Sequence, residues 1–342
     1  MKPALTDLLA SARVVSLPLR TRFRGVVDRE AMLFEGPNGW AEWSPFLEYP
    51  DEEAAVWLAA AIEFAYGELP ALNREAIPVN ATLPAVAPDQ VEKVLARFGD
   101  FGTVKIKVAE SGQSLNDDLQ RVWAVRAAYP DARIRLDANG GYSVDEAMTL
   151  AGAMIENGVS LDYLEQPVST IAEMAELKLR LNKAGIGSLQ AGGVKIAADE
   201  SVRRVSDPMA VVQADAADIL VLKAAPLGGI ARALAIAKEA ALPVVISSAL
   251  DSSVGLSMGA HLAAALPIHS PTEPGGLAFD CGLGTGALLA GDVTREPLIP
   301  VDGFIEVRRV SVDQQKLDIF EAEDHRIDWW IDRLDRAFKH LN

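Results

Sequence analysis

The sequence predicts an α/β protein whose centre is a closed barrel of parallel strands. Three observations lead to this fold. Between residue 78 and about residue 266, short apolar runs alternate seven times with amphipathic stretches of helical period. Seven such units in about 200 residues favour a closed barrel over an open sheet. The alternative, an open doubly wound sheet, lacks the Gly-x-Gly-x-x-Gly motif expected after its first strand.

The residues before the barrel predict a small antiparallel sheet followed by a helix. Residues 13–17 and 26–34 alternate between apolar and polar, and Gly36-Pro37-Asn38-Gly39 is a strong turn signal. Residues 19–25 are expected to form a basic loop between the first two strands. Residues 51–66 open with acidic side chains and continue at helical spacing, which predicts a helix.

The barrel elements follow in order along the chain. The predicted strands cover 79–83, 103–108, 133–137, 161–165, 194–199, 219–223 and 243–247, with Pro267-Ile268-His269 as a candidate for the eighth. The predicted helices cover 88–98, 115–128, 143–157, 171–184, 229–240 and 252–266.

The C-terminal tail returns to a mixture of strand and helix, predicted at 303–310 and 324–341. We expect Trp329 and Trp330 to pack this tail against the N-terminal sheet. The predicted domains are therefore an α+β capping domain, residues 1–77 with 300–342, and a barrel domain, residues 78–299.

Composition limits the partners. The formal net charge is −16, which argues against nucleic acid and against an anionic membrane surface. The single cysteine, Cys281, fits a reducing cytoplasm, and we expect neither a signal peptide nor a membrane span. A cytoplasmic protein acting on a small molecule is the expectation, and composition does not indicate the oligomeric state.

Residues 104–108 read Val-Lys-Ile-Lys-Val, which is the period of a strand. Lys105 and Lys107 therefore share one face of it. A half-exposed edge strand is the ordinary interpretation, because lysine is rarely buried without a partner. The ends of the later strands favour a different interpretation.

Those ends carry a row of polar residues from six successive strands: Lys107, Asp137, Glu165, Asp199, Lys223 and Ser247. Barrel enzymes place their chemistry at the carboxyl ends of the strands. A single carboxylate there is commonly a helix cap. Three on adjacent strands would repel one another unless a cation lay between them, and oxygen ligands alone indicate Mg²⁺ or Mn²⁺.

Two of the lysines are placed for acid–base chemistry. Burial, a metal ion and a neighbouring ammonium group all lower a lysine pKa, and Lys105 lies beside Lys107. Lys107 and Lys223 belong to the second and sixth strands, which lie opposite each other in an eight-stranded barrel. A non-catalytic metal- or anion-binding barrel is the rival from another class, although metal binding alone gains nothing from two buried ammonium groups.

Five short motifs carry a resemblance to a known family: Lys105-Ile106-Lys107, Leu136-Asp137-Ala138-Asn139-Gly140, Leu164-Glu165-Gln166-Pro167, Ala198-Asp199-Glu200-Ser201 and Leu222-Lys223. In this order the set resembles the enolase superfamily, muconate-lactonizing subgroup. The resemblance covers essentially the whole chain. It implies a modified TIM barrel, (β/α)7β, with an α+β capping domain.

The resemblance also implies roles for individual residues. Asp137, Glu165 and Asp199 would bind Mg²⁺, with Mn²⁺ possible. Lys107 would remove the proton α to a metal-bound carboxylate, and Lys223 and Lys105 would stabilise the resulting dianion. Asn139, Glu200 and Arg135 would surround the metal ligands, although Asn139 and Glu200 could instead be capping residues.

Within the subgroup, residues 18–25, 77–85, 247–255 and 281–285 are most similar to the branch of hydro-lyases that dehydrates a hydroxycyclohexadiene carboxylate in menaquinone synthesis. There, Ser247 and Ser248 would contact the far end of the substrate, and Arg22 and Arg24 would meet its second carboxylate. Helix capping and a solvated turn are the respective alternatives. N-acylamino acid racemases, dipeptide epimerases and cycloisomerases share the same lysines and carboxylates, so these activities remain open.

Overall fold

The computed structural model describes residues 3–23, 25–204 and 207–341. Its N-terminal part forms a three-stranded antiparallel sheet with helices beside it. The elements of this part are α1 (Leu5–Leu9), β1 (Arg13–Phe23), β2 (Val26–Gly36), β3 (Gly39–Trp43), α2 (Asp51–Tyr66) and β4 (Ala76–Pro78).

The next part is a curled sheet of seven parallel strands, hydrogen-bonded in chain order. Its strands are β5 (Ala81–Leu83), β6 (Thr103–Lys107), β7 (Arg133–Asp137), β8 (Leu161–Glu165), β9 (Ile196–Ala198), β10 (Ile219–Leu222) and β11 (Val244–Ile246). Its helices are α3 (Val91–Leu95), α4 (Leu115–Ala128), α5 (Val144–Glu156), α6 (Ile171–Lys183), α7 (Glu200–Arg203), α8 (Ala210–Gln213), α9 (Ala224–Leu227), α10 (Ile230–Ala240) and α11 (Ser253–Ala265). Three 3₁₀ segments, Pro88–Gln90, Ala96–Phe98 and Gly284–Leu288, complete this part.

A short segment, residues 277–282, joins the two edges of the curled sheet. Cys281 bridges Val79 on one side, and Gly282 bridges Ser247 on the other. The Gly282 N–H donates to the Ile246 carbonyl at 2.8 Å, and the Cys281 N–H donates to the Pro78 carbonyl at 2.7 Å. The sheet is therefore closed, and the predicted (β/α)7β barrel is confirmed.

The prediction of Pro267-Ile268-His269 as the eighth strand was wrong. Ile268 is 60% exposed and bridges Leu277, which lies on the closing segment itself. Proline has no N–H to donate to a neighbouring strand, and an exposed isoleucine does not fill a barrel interior. The apolar character of this run is therefore misleading.

The predicted basic loop was also wrong in its extent. β1 continues through Arg20 to Phe23, which pairs with Val26 across the turn. Leu19 bridges Leu289, and the Ala290 N–H donates to the Pro18 carbonyl at 2.7 Å. A second neighbour from a distant part of the chain therefore keeps these residues extended.

Local sequence explains where three barrel helices begin. Ser114, Ser143 and Thr170 are the N-caps of α4, α5 and α6, and each side chain accepts from the N–H three residues later. In each case an acidic side chain at that third position bonds back to the cap. These are capping boxes, which satisfy N–H groups that the first helical turn leaves unpaired.

The C-terminal region, β12 (Phe304–Glu306), α12 (Gln314–Ile319) and α13 (Asp324–Lys339), returns to the N-terminal part. β12 pairs antiparallel with β4. The Trp330 ring packs edge-on against Trp43 with centroids 5.2 Å apart, as the sequence predicted. The exact domain boundaries stay a prediction.

Two glutamates of the capping region hold the starts of barrel helices. The Glu63 carboxylate, on α2, accepts from the backbone N–H groups of Ile230 and, at 3.0 Å, Ala231 at the start of α10. The Glu42 carboxyl group, on β3, accepts from the backbone N–H of Ser252, the N-cap residue of α11. These hydrogen bonds satisfy N–H groups that the first helical turn leaves unpaired, so they fix the cap over the barrel. No helix in the described ranges has the length and apolarity needed to cross a membrane.

Candidate active site

A cavity of about 370 Å³ lies between the carboxyl ends of the barrel strands and the capping residues. All three lysines of the predicted site line it, together with Asp137 and the two serines Ser247 and Ser248. The cap contributes Phe23, Phe46, Tyr49 and Trp57. A polar floor beneath aromatic walls suits a small ligand that carries both a charged group and an apolar ring.

The floor begins with the two lysines of β6. Parallel register places Lys107 beside Asp137 and Asp137 beside Glu165. The Lys105 Nζ lies 3.0 Å from Glu165 Oε2 and 3.1 Å from Asp137 Oδ2. The Lys107 ammonium donates to Asp137 and, at 2.7 Å, to Asn139 Oδ1. Lys105 and Lys107 share one face of β6, as the sequence predicted, and their ammonium groups contact the carboxylates at the ends of β7 and β8.

Lys223 stands across the barrel from Lys107. It follows β10, the sixth strand in barrel order, whereas Lys107 ends the second. The Lys223 ammonium donates to Asp199 Oδ2. The other oxygen of Asp199 accepts from Arg203 Nε at 2.9 Å, so this carboxylate has two cationic partners.

Burial and mutual repulsion dominate the electrostatics of the carboxylates. Burial, with the like charge of Asp137, raises the pKa of Glu165 to about 7. Burial alone would also raise the pKa of Asp199, but the positive charges of Arg203 and Lys223 outweigh it and hold that pKa low. Burial would lower the pKa of Lys105, but Glu165 and Asp137 outweigh it, and this pKa is raised.

The three carboxylates fit a divalent metal ion in their donor chemistry, although they do not surround a common point. In the described ranges, no group of three or more acidic, histidine or cysteine side chains is close enough to hold one. Asp137 and Glu165 nevertheless converge on one cation, the Lys105 ammonium, and Asp199 adds to the repulsion that raises the pKa of Glu165. Three buried carboxylates on adjacent strands, with oxygen donors only, match the preference of a hard divalent ion.

The residues predicted around the ligands have different positions. Asn139 Nδ2 donates to Glu200 Oε1 at 3.3 Å, so these two residues link the ends of β7 and β9. Asn139 has φ 46°, a left-handed conformation that costs energy outside glycine and recurs at active sites. Arg135 donates instead to Asp162 at 3.0 Å and to the Asp280 carbonyl at 2.6 Å. The Arg135 guanidinium also lies over the Tyr163 ring. Arg135 therefore contacts Asp162, Asp280 and Tyr163 rather than the three predicted metal ligands.

The predicted substrate-binding residues are divided among several places. Ser247 is buried in the cavity wall, and the Ser248 hydroxyl donates to the Gly282 carbonyl at 2.9 Å and lies 2.7 Å from Thr285 Oγ1. Arg22 is exposed and lines a neighbouring cavity of about 320 Å³, which shares Lys107 and Phe23 with the main one. Arg24 lies outside the described residues.

Sequence reasoning missed two residues that position the carboxylates. The Gln166 side chain accepts from the backbone N–H groups of Asp199, at 3.2 Å, and Ser201, at 3.1 Å, and so ties β8 to the end of β9. Arg203 pairs with Asp199 and donates to Tyr49 of the cap at 3.1 Å. Asp199 and Arg203 are four residues apart, which is one helical turn. This spacing could have predicted their ion pair from the sequence.

Comparison with known proteins decides the family. A family model described as enolase C-terminal domain-like matches residues 87–311, and one described as enolase N-terminal domain-like matches residues 14–65. The chain belongs to the enolase superfamily. It is an enzyme of that superfamily, and superfamily enzymes depend on a divalent metal ion.

Two comparisons give the relatives and the fold neighbours. A curated o-succinylbenzoate synthase of Mycobacterium ulcerans is 51% identical, over 98% of this chain and 96% of the relative. One of Mycobacterium bovis is 50% identical, over 99% of this chain and 97% of the relative. The solved structure of muconate lactonizing enzyme from Pseudomonas fluorescens, complexed with muconolactone, matches with TM-score 0.73 and 20% identity, over 91% and 98% of the two chains. The solved structure of L-Ala-D/L-Glu epimerase from Bacillus subtilis matches with TM-score 0.69 and 21% identity, over 88% of this chain and 96% of the epimerase.

Proposed function

We propose that the chain is an o-succinylbenzoate synthase, a hydro-lyase of menaquinone biosynthesis. Its substrate would be 2-succinyl-6-hydroxy-2,4-cyclohexadiene-1-carboxylate and its product 2-succinylbenzoate. The observation that carries the proposal is about 50% identity, over nearly the whole of both chains, to curated o-succinylbenzoate synthases.

The proposed cofactor is Mg²⁺, with Mn²⁺ as the alternative, held by Asp137, Glu165 and Asp199. The burial of these carboxylates and the raised pKa of Glu165 support the assignment, because a divalent cation would relieve their repulsion. Such an ion, when bound, supplies charge stabilisation for the carboxylate of a substrate.

The proposed base is Lys107. It takes the proton from the carbon α to the substrate carboxylate, and the electron pair of that C–H bond becomes delocalised into the carboxylate. The Lys107 ammonium then gives this proton to the β-hydroxyl, which leaves as water, so that one C–H and one C–O bond break and the ring becomes aromatic. Lys223 and Lys105 remain ammonium groups and stabilise the negative charge of the intermediate. Their ion pairs with Asp199 and with Glu165 support this charged role.

The rest of the cavity is proposed to bind the succinyl end of the substrate. The ring of Phe23 lies 5.2 Å from the Lys107 ammonium, and Ser247 and Ser248 line the same cavity. A flat ring held between Phe23 and these serines would present its α-proton to Lys107. Arg22 is proposed to meet a carboxylate that projects from the mouth.

Racemisation of N-acylamino acids is the second candidate, because two lysines on opposite sides of one cavity could each act as a base. The deciding experiment is a steady-state assay of the hydroxycyclohexadiene carboxylate beside a panel of N-acylamino acids and dipeptides, with Mg²⁺ present. We expect kcat/KM for dehydration to exceed every racemisation value. A higher value for any acylamino acid or dipeptide would make racemase or epimerase the primary activity.

A further inference from the structure

A second cavity of about 640 Å³ lies beside the active site. The short 3₁₀ segment Gly284–Leu288 forms a wall shared by both cavities. Thr285 lines the active-site cavity, whereas Gly286 and Ala287 line the second one. This volume is in the range of pockets that bind small organic ligands.

Four cationic side chains line the second cavity: Arg20, Arg97, Arg295 and Lys316. The Arg20 Nε donates to the Leu289 carbonyl at 2.9 Å, and the Arg97 Nη1 donates to Thr21 Oγ1 at 2.9 Å. Burial and the positive charge of Arg20 lower the pKa of Arg97, which places the two guanidinium groups within each other's field. Neutral acceptors thus orient both groups without neutralising them.

Two acidic side chains lie at or near this cavity, and one of them already neutralises one of its four cations. Asp313 pairs with Arg295 at 2.6 Å. Asp292 lines the cavity wall, accepts from the Ser253 hydroxyl at 2.6 Å, and interacts electrostatically with Lys316. Among the described residues, neither Arg20, Arg97 nor Lys316 makes an ion pair, in a chain with 48 acidic and 32 basic side chains. Acidic partners are abundant in this protein. Arg20, Arg97 and Lys316 lie together in a concave site without an ion pair, which indicates that an anionic ligand binds there.

We propose that this cavity binds a small organic molecule carrying a multivalent oxyanion, either a phosphate or a polycarboxylate. Guanidinium forks match the geometry of such anions and bind them through paired charged hydrogen bonds. Leu289 and the exposed Ile299 line the same cavity and would contact the apolar part of the ligand. The bound anion would lie next to the strand end that carries Thr21 and Phe23 to the active-site mouth.

The test is calorimetric titration of the full chain with inorganic pyrophosphate and, separately, with citrate, in metal-depleted buffer at constant ionic strength. We expect one equivalent of anion to bind. Arg97→Gln, which removes the charge but can still donate to Thr21, should weaken binding at least about tenfold, as should Arg20→Ala. Lys93→Ala is the matched control, because Lys93 is exposed on the neighbouring helix α3. The better-bound probe distinguishes phosphate from polycarboxylate.

Two results would overturn the proposal. One is the absence of binding heat for both anions in the unmodified chain. The other is binding that survives Arg20→Ala and Arg97→Gln but is lost in Lys107→Ala, which would place the anion in the active site. Circular dichroism of each variant shows whether it is folded, and thermal unfolding with and without pyrophosphate gives a second measure of binding.

Discussion

The Glu42 carboxylate accepts hydrogen bonds from both the backbone N–H of Ser252, at 3.0 Å, and the Ser252 hydroxyl. Ser252 is the N-cap of α11, so a residue of the cap holds the start of a barrel helix. Glu42 is buried, and the Asp251 carboxylate lies near it. Burial, reinforced by the negative charge of Asp251, raises the pKa of Glu42 to about 7.

This raised pKa predicts a pH-dependent stability. In the unfolded chain a glutamate ionises near about pH 4.3, whereas Glu42 in the folded chain keeps its proton up to about pH 7. The folded state therefore binds more protons in that window, and its free energy of unfolding falls as the pH rises through it. Glu42→Gln stays neutral and should therefore remove this contribution to the pH dependence of the free energy of unfolding. Compared with the unmodified chain at the same pH, the variant should gain stability between pH 4.5 and pH 8.

Urea unfolding of both proteins at several pH values between 4.5 and 8 measures the difference. Glu92→Gln, at an exposed position of α3, is the control and should change the slope little. Parallel profiles for the unmodified chain and Glu42→Gln would show that Glu42 is already ionised at low pH in the folded state.

The carboxylate cluster predicts metal binding that depends on Glu165. Glu165→Gln should weaken Mg²⁺ and Mn²⁺ binding by at least about a hundredfold, because a neutral amide replaces a buried charged ligand. Calorimetric titration measures this directly. EDTA should abolish activity, and added Mg²⁺ or Mn²⁺ should restore it.

The matched control for this experiment is Glu156→Gln, at an exposed position near the end of α5. It should bind metal like the unmodified chain. Full activity in metal-depleted buffer, or unchanged Mg²⁺ affinity in Glu165→Gln, would reject the ligand assignment.

The barrel strands could be predicted because their signals are local. Strand alternation placed Lys105 and Lys107 on one face, and the apolar runs ended at the carboxylates of β7 and β8. The closing segment had no such signal. It contains Gly282, makes only isolated bridges, and depends on strands far away in sequence.

The same contrast applies to the site. The lysines and carboxylates could be predicted because each lies at, or within two residues of, the carboxyl end of a strand with a clear local pattern. The role of Gln166 could not, since its side chain acts on the backbone of Asp199 and Ser201 in the next strand unit. The extended conformation of Arg20 similarly depends on contacts with Leu289, which no local pattern encodes.

We expect Arg22 to contribute to substrate binding but not to the chemical step. It is exposed in a cavity that shares Lys107 and Phe23 with the active site. Arg22→Ala should raise KM several-fold and leave kcat nearly unchanged, because the lost contact is equally strong in the ground and transition states. Steady-state kinetics at two salt concentrations measures both constants.

Lys238→Ala is the control for Arg22, since Lys238 is an exposed cation in the last turn of α10. It should leave both constants unchanged. If Arg22→Ala behaves in the same way at both salt concentrations, Arg22 is a solvated residue without contact to the substrate.

Lys107 and Lys223 give the sharpest prediction, because they face one cavity from opposite sides. Dehydration needs a base on one face of the substrate, whereas racemisation needs a base on each. We expect Lys107 to be the base and Lys223 to stay charged beside Asp199. Lys107→Ala should then lose about 10³-fold or more in dehydration rate, and Lys223→Ala should also lose activity through missing charge stabilisation.

Rates of dehydration alone do not separate these two roles, but hydrogen exchange does. Each enantiomer of an N-acylamino acid that binds the site is incubated in D₂O with Mg²⁺, and α-deuterium is followed by NMR. If Lys107 alone is a base, the unmodified chain exchanges one enantiomer without racemising it, and Lys107→Ala exchanges neither. Exchange of both enantiomers at comparable rates would mean that each lysine removes a proton from its own face. The one-base assignment would then be wrong, and the same cavity would support racemisation.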